Sequence, residues 1–466
     1  MTFVALIPAG LAAFAGVVAL ALDAWDVRRG AVFAAAAGAL AAGFAAALAG
    51  PLPGDYRGVI GAGVALLAAT SLAGGWRRMT RAAHGGQTAA LGAFTLAASM
   101  LAIAATDLLT LALALEIMAL AAYGLVALAG TDRAREAATK YFVQGAVATG
   151  LLVLALGVLF ARGGGSLSYA VAQGGGVGSF PESTALLGFA LLTCVLAFKS
   201  GAFPFHSWAP DAYETSERPV AALLASVPKV AVIAAMVYVF LPPQAAVLST
   251  PEWISPVPRL LFAVLALASI VFGNVAALRQ RSLTRMLAYS GIAQVGYALV
   301  GIAAGRGAAT IVFAGLYGLG AAGAFLVAEA VHEGDPQWDG SIAGLAGLSR
   351  RRPALSAALA ALMLSLTGIP LFGGFVGKLG VFAGAAGSLT WLAVAGVIGS
   401  VVSFGYYGSV LRAAYLAEEG EPTAEAVATS SGPAALVAIS LAVLTVVFGL
   451  VPVLFGTRWL LFLIAR

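Results

Sequence analysis

Fourteen stretches of about twenty mostly apolar residues follow one another along the chain, and this repetition leaves very few folds open. They lie near 3–22, 31–49, 58–75, 88–105, 107–129, 137–161, 184–205, 219–240, 257–278, 285–303, 308–331, 354–384, 388–415 and 433–456, and are numbered here as spans 1–14. Each is long enough to cross a hydrocarbon layer roughly 30 Å thick as a helix. A helix satisfies its own backbone groups where no water can. With 61% hydrophobic and 10% charged residues, a soluble globule is excluded and an all-α polytopic membrane protein is expected. Span 1 lacks a basic leader and runs into Asp23 and Asp26 instead of a small-residue cleavage site, so it reads as a retained helix and not a signal peptide. The single cysteine, Cys194, lies inside span 7 and reads as packing, since one thiol can neither form an internal disulfide nor hold a metal.

Arginine placement tests the span count independently. Fifteen arginines, among them Arg28, Arg77, Arg133, Arg281 and Arg351, follow odd-numbered spans, and six follow even-numbered ones. By the positive-inside rule the odd connections face the cytoplasm, and both termini lie on the opposite side. The net charge of +5 therefore records topology. No basic run with interleaved aromatics suggests nucleic acid. The connections hold no Rossmann glycine fingerprint, phosphate loop or cysteine cluster for iron and sulfur, which assigns any redox or nucleotide chemistry to partner chains.

Against this arginine background stand four lysines, Lys140, Lys199, Lys229 and Lys378, all in or at the end of apolar stretches, where they read as buried groups. Arginine stays protonated everywhere, whereas a desolvated lysine can release its proton near neutral pH. Loop charges written as arginine and intramembrane charges as lysine separate anchoring from titration, which points to proton handling. A codon bias toward arginine would explain the loops but not where the lysines sit. Two lysines accompany a matching irregularity: Phe-Lys-Ser-Gly-Ala-Phe-Pro-Phe-His at 198–206 and Gly-Ile-Pro-Leu-Phe-Gly-Gly-Phe-Val-Gly-Lys at 368–378. Proline removes a backbone donor and glycine eases irregular backbone, so spans 7 and 12 are expected to be discontinuous. Broken helices at corresponding places predict two inverted five-helix repeats, spans 4–8 (residues 88–240) and 9–13 (257–415), after a three-span segment (1–87) and before a C-terminal helix (433–466). Glycine and proline as plain packing devices are the competing reading for either motif alone.

Glu116, mid-way through span 5, is the intramembrane carboxylate, and a charge at that depth costs on the order of 2.5–3.5 kcal/mol unless paired or hydrated. Lys199 is its candidate partner through space, either as a structural ion pair or as a switch in which withdrawing the carboxylate loosens the lysine's hold on its proton. Lys229 and Lys378 have no carboxylate nearby in sequence. Lys140 reads either as part of the path or as an interfacial anchor, and His206 as a relay or as a hydrogen-bonded structural histidine. Asp211 and Tyr213 are expected to cap or anchor, Asp107 to cap span 5, and Glu329, His332 and the loop residue His84 to be solvated.

The chain resembles the antiporter-like proton-pumping subunits of respiratory complex I, most closely the N-type subunit of the bacterial NADH:quinone oxidoreductases. The likeness covers roughly residues 90–415 and is densest at Lys-Tyr-Phe-Val-Gln-Gly (140–145), the 198–214 segment ending Ser-Trp-Ala-Pro-Asp-Ala-Tyr-Glu, Ser-Val-Pro-Lys-Val-Ala (226–231), Arg-Met-Leu-Ala-Tyr-Ser (285–290) and the 368–378 motif. The resemblance implies a fold of fourteen helices, with Glu116, Lys199, Lys229 and Lys378 taking the places of the family's proton-path residues. It implies no cofactor in this chain. Flavin, iron–sulfur clusters and quinone are expected in partner subunits, with other antiporter-like and small membrane-arm subunits and lipid as neighbours in a bacterial inner membrane. A lysine at 378 and a short tail after span 14 distinguish it from the other two subunit types. It departs from the family at Thr284 and Gln294, where lysine and histidine are usual, so that water or Tyr289 would have to serve in span 10; it departs also in the charged connection Glu-Thr-Ser-Glu-Arg-Pro at 214–219. A subunit of a multisubunit sodium/proton antiporter, of a hydrogenase or of a complex fed by ferredoxin or deazaflavin would look alike, and a scaffold with a decayed ion path is the third reading.

Overall fold

The computed structural model describes residues 3–48, 56–174, 182–241, 256–417 and 432–455, among which regular structure is helical apart from two isolated β-bridges. Spans 1–3 are α1 (Phe3–Ala24), α2 (Arg28–Leu48) and α3 (Arg57–Gly74), followed by a short α4 (Trp76–Arg81). Spans 4–6 are α5 (Gly85–Ala104), α6 (Leu108–Ala127) and the long α7 (Asp132–Arg162), with a small α8 (Tyr169–Gly174) beyond them. Span 7 is divided into α9 (Glu182–Ser200) and α10 (Trp208–Thr215), and span 8 is α11 (Arg218–Phe240). Spans 9–11 are α12 (Pro256–Ala277), α13 (Leu283–Ala303) and α14 (Gly307–Gly334), after which comes α15 (Leu348–Arg351). Span 12 is again divided, into α16 (Pro353–Thr367) and α17 (Gly373–Ala385), and α18 (Thr390–Leu416) and α19 (Pro433–Phe455) complete the series. Thirteen of these helices are long and apolar enough to cross a membrane singly. The broken span 12 supplies the fourteenth crossing.

Burial sorts the helices by role. About 94% of the apolar windows of α11 and α13 is buried, against 28% for α1 and α7, so the former pair form the axis and the latter face lipid or a partner. The two halves also share local devices. Asp107, at the start of α6, bridges to Ser168, and Ser282, at the start of α13, bridges to Ser341, one bridge on the fifth span and one on the tenth. Asp107 caps α6 by accepting from the Thr110 amide at 2.8 Å, and Ser282 caps α13 by accepting from the Arg285 amide.

The arginine-rich end holds a correction. Glu329 is not solvated: its carboxylate is 1% exposed and accepts from Arg78 Nε at 2.6 Å, with Arg218 Nη1 at 3.9 Å. Hydropathy placed it near a loop, but α14 runs on past it to Gly334, and α4 and the start of α11 close over it. Nearby, Glu333 stands 4.0 Å from Arg77, and His332 is half-buried. Here too lies the physical account of the unusual 214–219 connection. Glu214 pairs with Arg285 at 2.6 Å, while Glu217 and Arg218 turn inward to the Arg78–Glu329 pair. Burial pushes the Glu217 carboxyl above its usual range, opposed by Arg78 and reinforced by Glu329.

Candidate functional site

Both broken spans end their first half with the same device. At the end of α9, Gly201 adopts φ +78°, its amide bonds back to Phe198 O at 3.0 Å and the Ala202 amide to Ala197 O at 2.8 Å. At the end of α16, Gly368 adopts φ +92°, and its amide and that of Ile369 both return to Leu364 O at 3.0 Å. A left-handed residue followed by such a six-to-one bond is a Schellman-type stop, which glycine makes without the Cβ clash. The stop leaves carbonyl oxygens at mid-membrane with a negative dipole end. A cation belongs there.

Each break has its lysine. Lys199, in the last turn of α9, is buried and donates to Glu116 Oε1 of α6 at 2.9 Å and to Leu115 O at 3.3 Å. Glu116 is 31% exposed at its side chain, and its second oxygen accepts from Thr149 of α7 at 2.8 Å. Lys378, on α17, reaches back across the break and donates to Leu366 O and Thr367 O, each at 2.9 Å, with its ammonium 4.5 Å from the centre of the Tyr297 ring. The first lysine is held by a carboxylate and the second by orphan helix carbonyls.

Lys229 lies between them and is held differently. It is 1% exposed on α11, directly after Pro228, and among the described residues its ammonium has no hydrogen-bond partner. The faces of Tyr213 and Tyr317 approach it at 5.3 and 5.9 Å, within the range of a weak cation–π attraction. Two glycines admit it: a Cβ on Gly201, at the first break, would stand 4.0 Å from its Nζ, and one on Gly291 of α13 would stand 3.0 Å away. Lys229 thus touches the broken first span on one side and α13 on the other.

Residues of α13 and α14 lie between Lys229 and Lys378. Gln294, one turn after Gly291, donates to Leu366 O at 2.8 Å, the same carbonyl that receives Lys378. A cavity of about 10 Å³ opens between Gln294, Tyr317, Ser365 and Lys378, at the lower edge of the space one water needs. The residues bridging the lysines are therefore Gln294 and Tyr317. Sequence reading registered Gln294 only as a departure and passed over Tyr317, whose sole signal is a hydroxyl inside an apolar span. Tyr289, expected to serve in span 10, packs instead on Phe272, with the Arg285 guanidinium 5.8 Å from its ring.

Two further expectations change. Lys140 is not buried: it is half-exposed, pairs with Glu136 at 2.6 Å one helical turn earlier, and stands 3.7 Å from Asp211. Span 6 is helical from Asp132 onward, which carries Lys140 out to its polar first turns. Asp211 joins this anchor to Arg285 at 3.1 Å, and Tyr213 is buried, donating to Leu224 O at 3.2 Å. The ring of His206 packs on Phe203 and Phe272.

The contrast between the two partnerless-in-sequence lysines gives a first prediction. Lys378→Met removes the donor that satisfies Thr367 O, since Gln294 reaches only Leu366 O. Leaving a buried carbonyl unsatisfied costs about 1–3 kcal/mol, so the variant should unfold at lower temperature than the parent. An unchanged melting temperature in detergent would show that another donor takes its place.

Residues 105–403 match the family model described as NADH:quinone oxidoreductase/Mrp antiporter, TM. The NADH-quinone oxidoreductase subunit N of Rhodospirillum rubrum is 38% identical over 336 residues, 69% of this chain and 66% of that protein. That of Granulibacter bethesdensis is 38% identical over 371 residues, 77% of this chain and 74% of that protein. Among solved structures, a chain of respiratory complex I from Thermus thermophilus superposes with a TM-score of 0.78 at 27% identity, covering 96% of this chain and 98% of that one. The aligned regions thus span about two thirds to three quarters of these curated relatives' length, and the residues matched by the family model include both broken spans together with Glu116, Lys199, Lys229 and Lys378. The chain belongs to the NADH:quinone oxidoreductase/Mrp antiporter transmembrane family.

Proposed function

We propose that this chain is a proton-translocating membrane-arm subunit of an NADH:quinone oxidoreductase, performing no redox chemistry itself. Partner subunits hold the flavin, iron–sulfur clusters and quinone, and deliver free energy as an electrostatic or conformational perturbation along the membrane arm. The observation that carries this reading is the sequence of lysine environments: Lys199 on a carboxylate, Lys229 on no hydrogen-bonding group among the described residues, Lys378 on helix-end carbonyls. An ammonium is stable at the first and third of these places and poorly supported at the second. Drawing Glu116 away from Lys199 would loosen that lysine's proton, which then moves by way of Lys229, Tyr317 and a water beside Gln294 to Lys378. Restoring the Glu116–Lys199 pair resets the first site. Lys140 and His206 lie outside this line, the former as an anchor at the polar edge.

In this reading the chain lies in the bacterial inner membrane, and the positive-inside rule puts the arginine-rich connections on the cytoplasmic side and, with fourteen crossings, both ends on the other. Residues 88–240 and 257–415 form the two inverted repeats, supported by the shared break device and the shared β-bridge. Relatives named as subunit N favour an oxidoreductase over a cation/proton antiporter made of small subunits.

Purification of the tagged chain in mild detergent should bring down flavin, iron–sulfur and quinone-site subunits in fixed ratio, as identified by mass spectrometry. Recovery of small antiporter subunits alone would move the function to cation/proton exchange. In proteoliposomes of the intact assembly, Glu116→Gln should lower protons moved per electron without lowering electron transfer to the same degree. Normal coupling in that variant would exclude the pair as a switch.

A further inference from the structure

Thr149 places a single hydroxyl between two acceptors. Its Oγ1 stands 2.8 Å from Glu116 Oε2 and 3.0 Å from Gly145 O, one turn back on α7. A hydroxyl carries one proton and two lone pairs, so it donates to one of these oxygens at a time and can accept where it does not donate. Threonine bonding its own helix four residues back is common and by itself structural. The second acceptor, an intramembrane carboxylate, is not. Lys199 occupies Oε1 at 2.9 Å, which leaves Oε2 to Thr149.

We propose that Thr149 is a positioning residue that serves both protonation states of Glu116. When Glu116 is ionised against Lys199, the hydroxyl donates to Oε2 and fixes the carboxylate in the pairing orientation. When Glu116 carries a proton, that O–H is the donor, Oγ1 accepts it, and the hydroxyl hydrogen turns to Gly145 O. Protonation by itself needs no heavy-atom movement between Glu116 and Thr149, and one hydrogen bond joins the two residues in either state. A carboxylate held by lysine alone would forfeit an interaction each time the pair opened. Thr149 removes that loss, which lets the pair open and close with less strain. The other groups facing Glu116 are Lys199 from α9, Tyr123 on α6 itself and Tyr141 on α7. The Tyr123 hydroxyl packs against Gly145, where a Cβ would collide with it, and makes no hydrogen bond among the described residues. It therefore leaves both acceptors to Thr149.

This proposal rests on the reading of Glu116 and Lys199 as a switch, and the experiment separates the two. Infrared difference spectra of the purified intact assembly, recorded across pH, resolve protonated carboxyl bands, and Glu116→Gln identifies the band belonging to Glu116. Thr149→Val keeps the shape and removes the hydroxyl. With the hydroxyl gone, the Glu116 carboxyl band should shift to the frequency of a less hydrogen-bonded acid. Thr149→Ser should behave as the parent, and Thr149→Ala provides the same arm as valine if the latter does not assemble. A Glu116 band unmoved in frequency by valine or alanine overturns the role of Thr149 while leaving the switch intact. A serine variant that behaves like valine also overturns it, since the hydroxyl would then not be the active part. A parent spectrum with no band sensitive to Glu116→Gln overturns both readings together.

Discussion

Replacing Lys229 with methionine is expected to abolish proton translocation through this chain while making the chain more stable. The ammonium is 1% exposed and is offered two tyrosine faces but no hydrogen-bond acceptor among the described residues. Burying an isolated cation is costly, and exchanging buried charged groups for apolar ones of like volume is often neutral or stabilising by about 1–4 kcal/mol. Methionine follows the lysine stem closely and carries no charge, so it should fill the same slot between Gly201 and Gly291. Function should move the other way, because no other titratable amine stands between the two breaks. The test is a pair of measurements on one preparation: the melting temperature of the intact assembly, and protons moved per electron in sealed proteoliposomes. Undiminished pumping would remove Lys229 from the path. A lower melting temperature with lost pumping would mean that the ammonium is held by groups such as ordered water, and that its cost has been met within the fold.

Glu329→Ala should be among the most destabilising single changes in the chain, by on the order of 3 kcal/mol, the lower end of the range for breaking a buried ion pair. The carboxylate is 1% exposed and Arg78 is 26% exposed, at an N–O distance of 2.6 Å. Removing it leaves Arg78 and Arg218 facing one another without their direct partner, with only Glu217 and Glu333 to offset the two charges, in a place where water has little access. The pair ties α4 to the far end of α14, a link between the first three spans and the second half that α11 shares through Arg218. Glu329→Gln should lose less, because an amide oxygen still accepts from Arg78 Nε. Replacing Glu329 and Arg78 together by leucine should recover part of the loss, as the orphaned charge goes with its partner. Thermal unfolding of the four proteins decides the matter. An alanine variant that melts with the parent would show that the pair contributes nothing, as exposed ion pairs commonly do.

Fourteen crossings, an odd-side excess of arginine and two interrupted spans were legible in the chain, because each depends on local chemistry. Hydrophobic length sets a span, and glycine and proline set a break. At Gly201 and Gly368 the left-handed backbone itself follows from the residue type. Lys199 and Lys378 were legible as charges at breaks for the same reason. Periodicity misplaced Lys140 and Glu329 through a shared error: the edge of an apolar run is not the edge of a helix. α7 begins at Asp132, ahead of its apolar run, and puts Lys140 in exposed first turns, whereas α14 continues to Gly334 and takes Glu329 under α4 and α11.

The sequence by itself therefore singled out Glu116, Lys199, Lys229 and Lys378 as charges within apolar segments, since solvation in hydrocarbon is a property of each segment taken alone. Only the tertiary structure decided what those groups meet: Glu116 at Lys199, with Thr149 behind that carboxylate, two tyrosine rings and, among the described residues, no acceptor at Lys229, and the C-terminal end of α16 at Lys378. These partners come from other helices, 11 or 12 residues away in sequence at Lys378 and 83 at Lys199, and a hydrogen bond or a bare ammonium depends on distances of a few tenths of an ångström that packing alone sets.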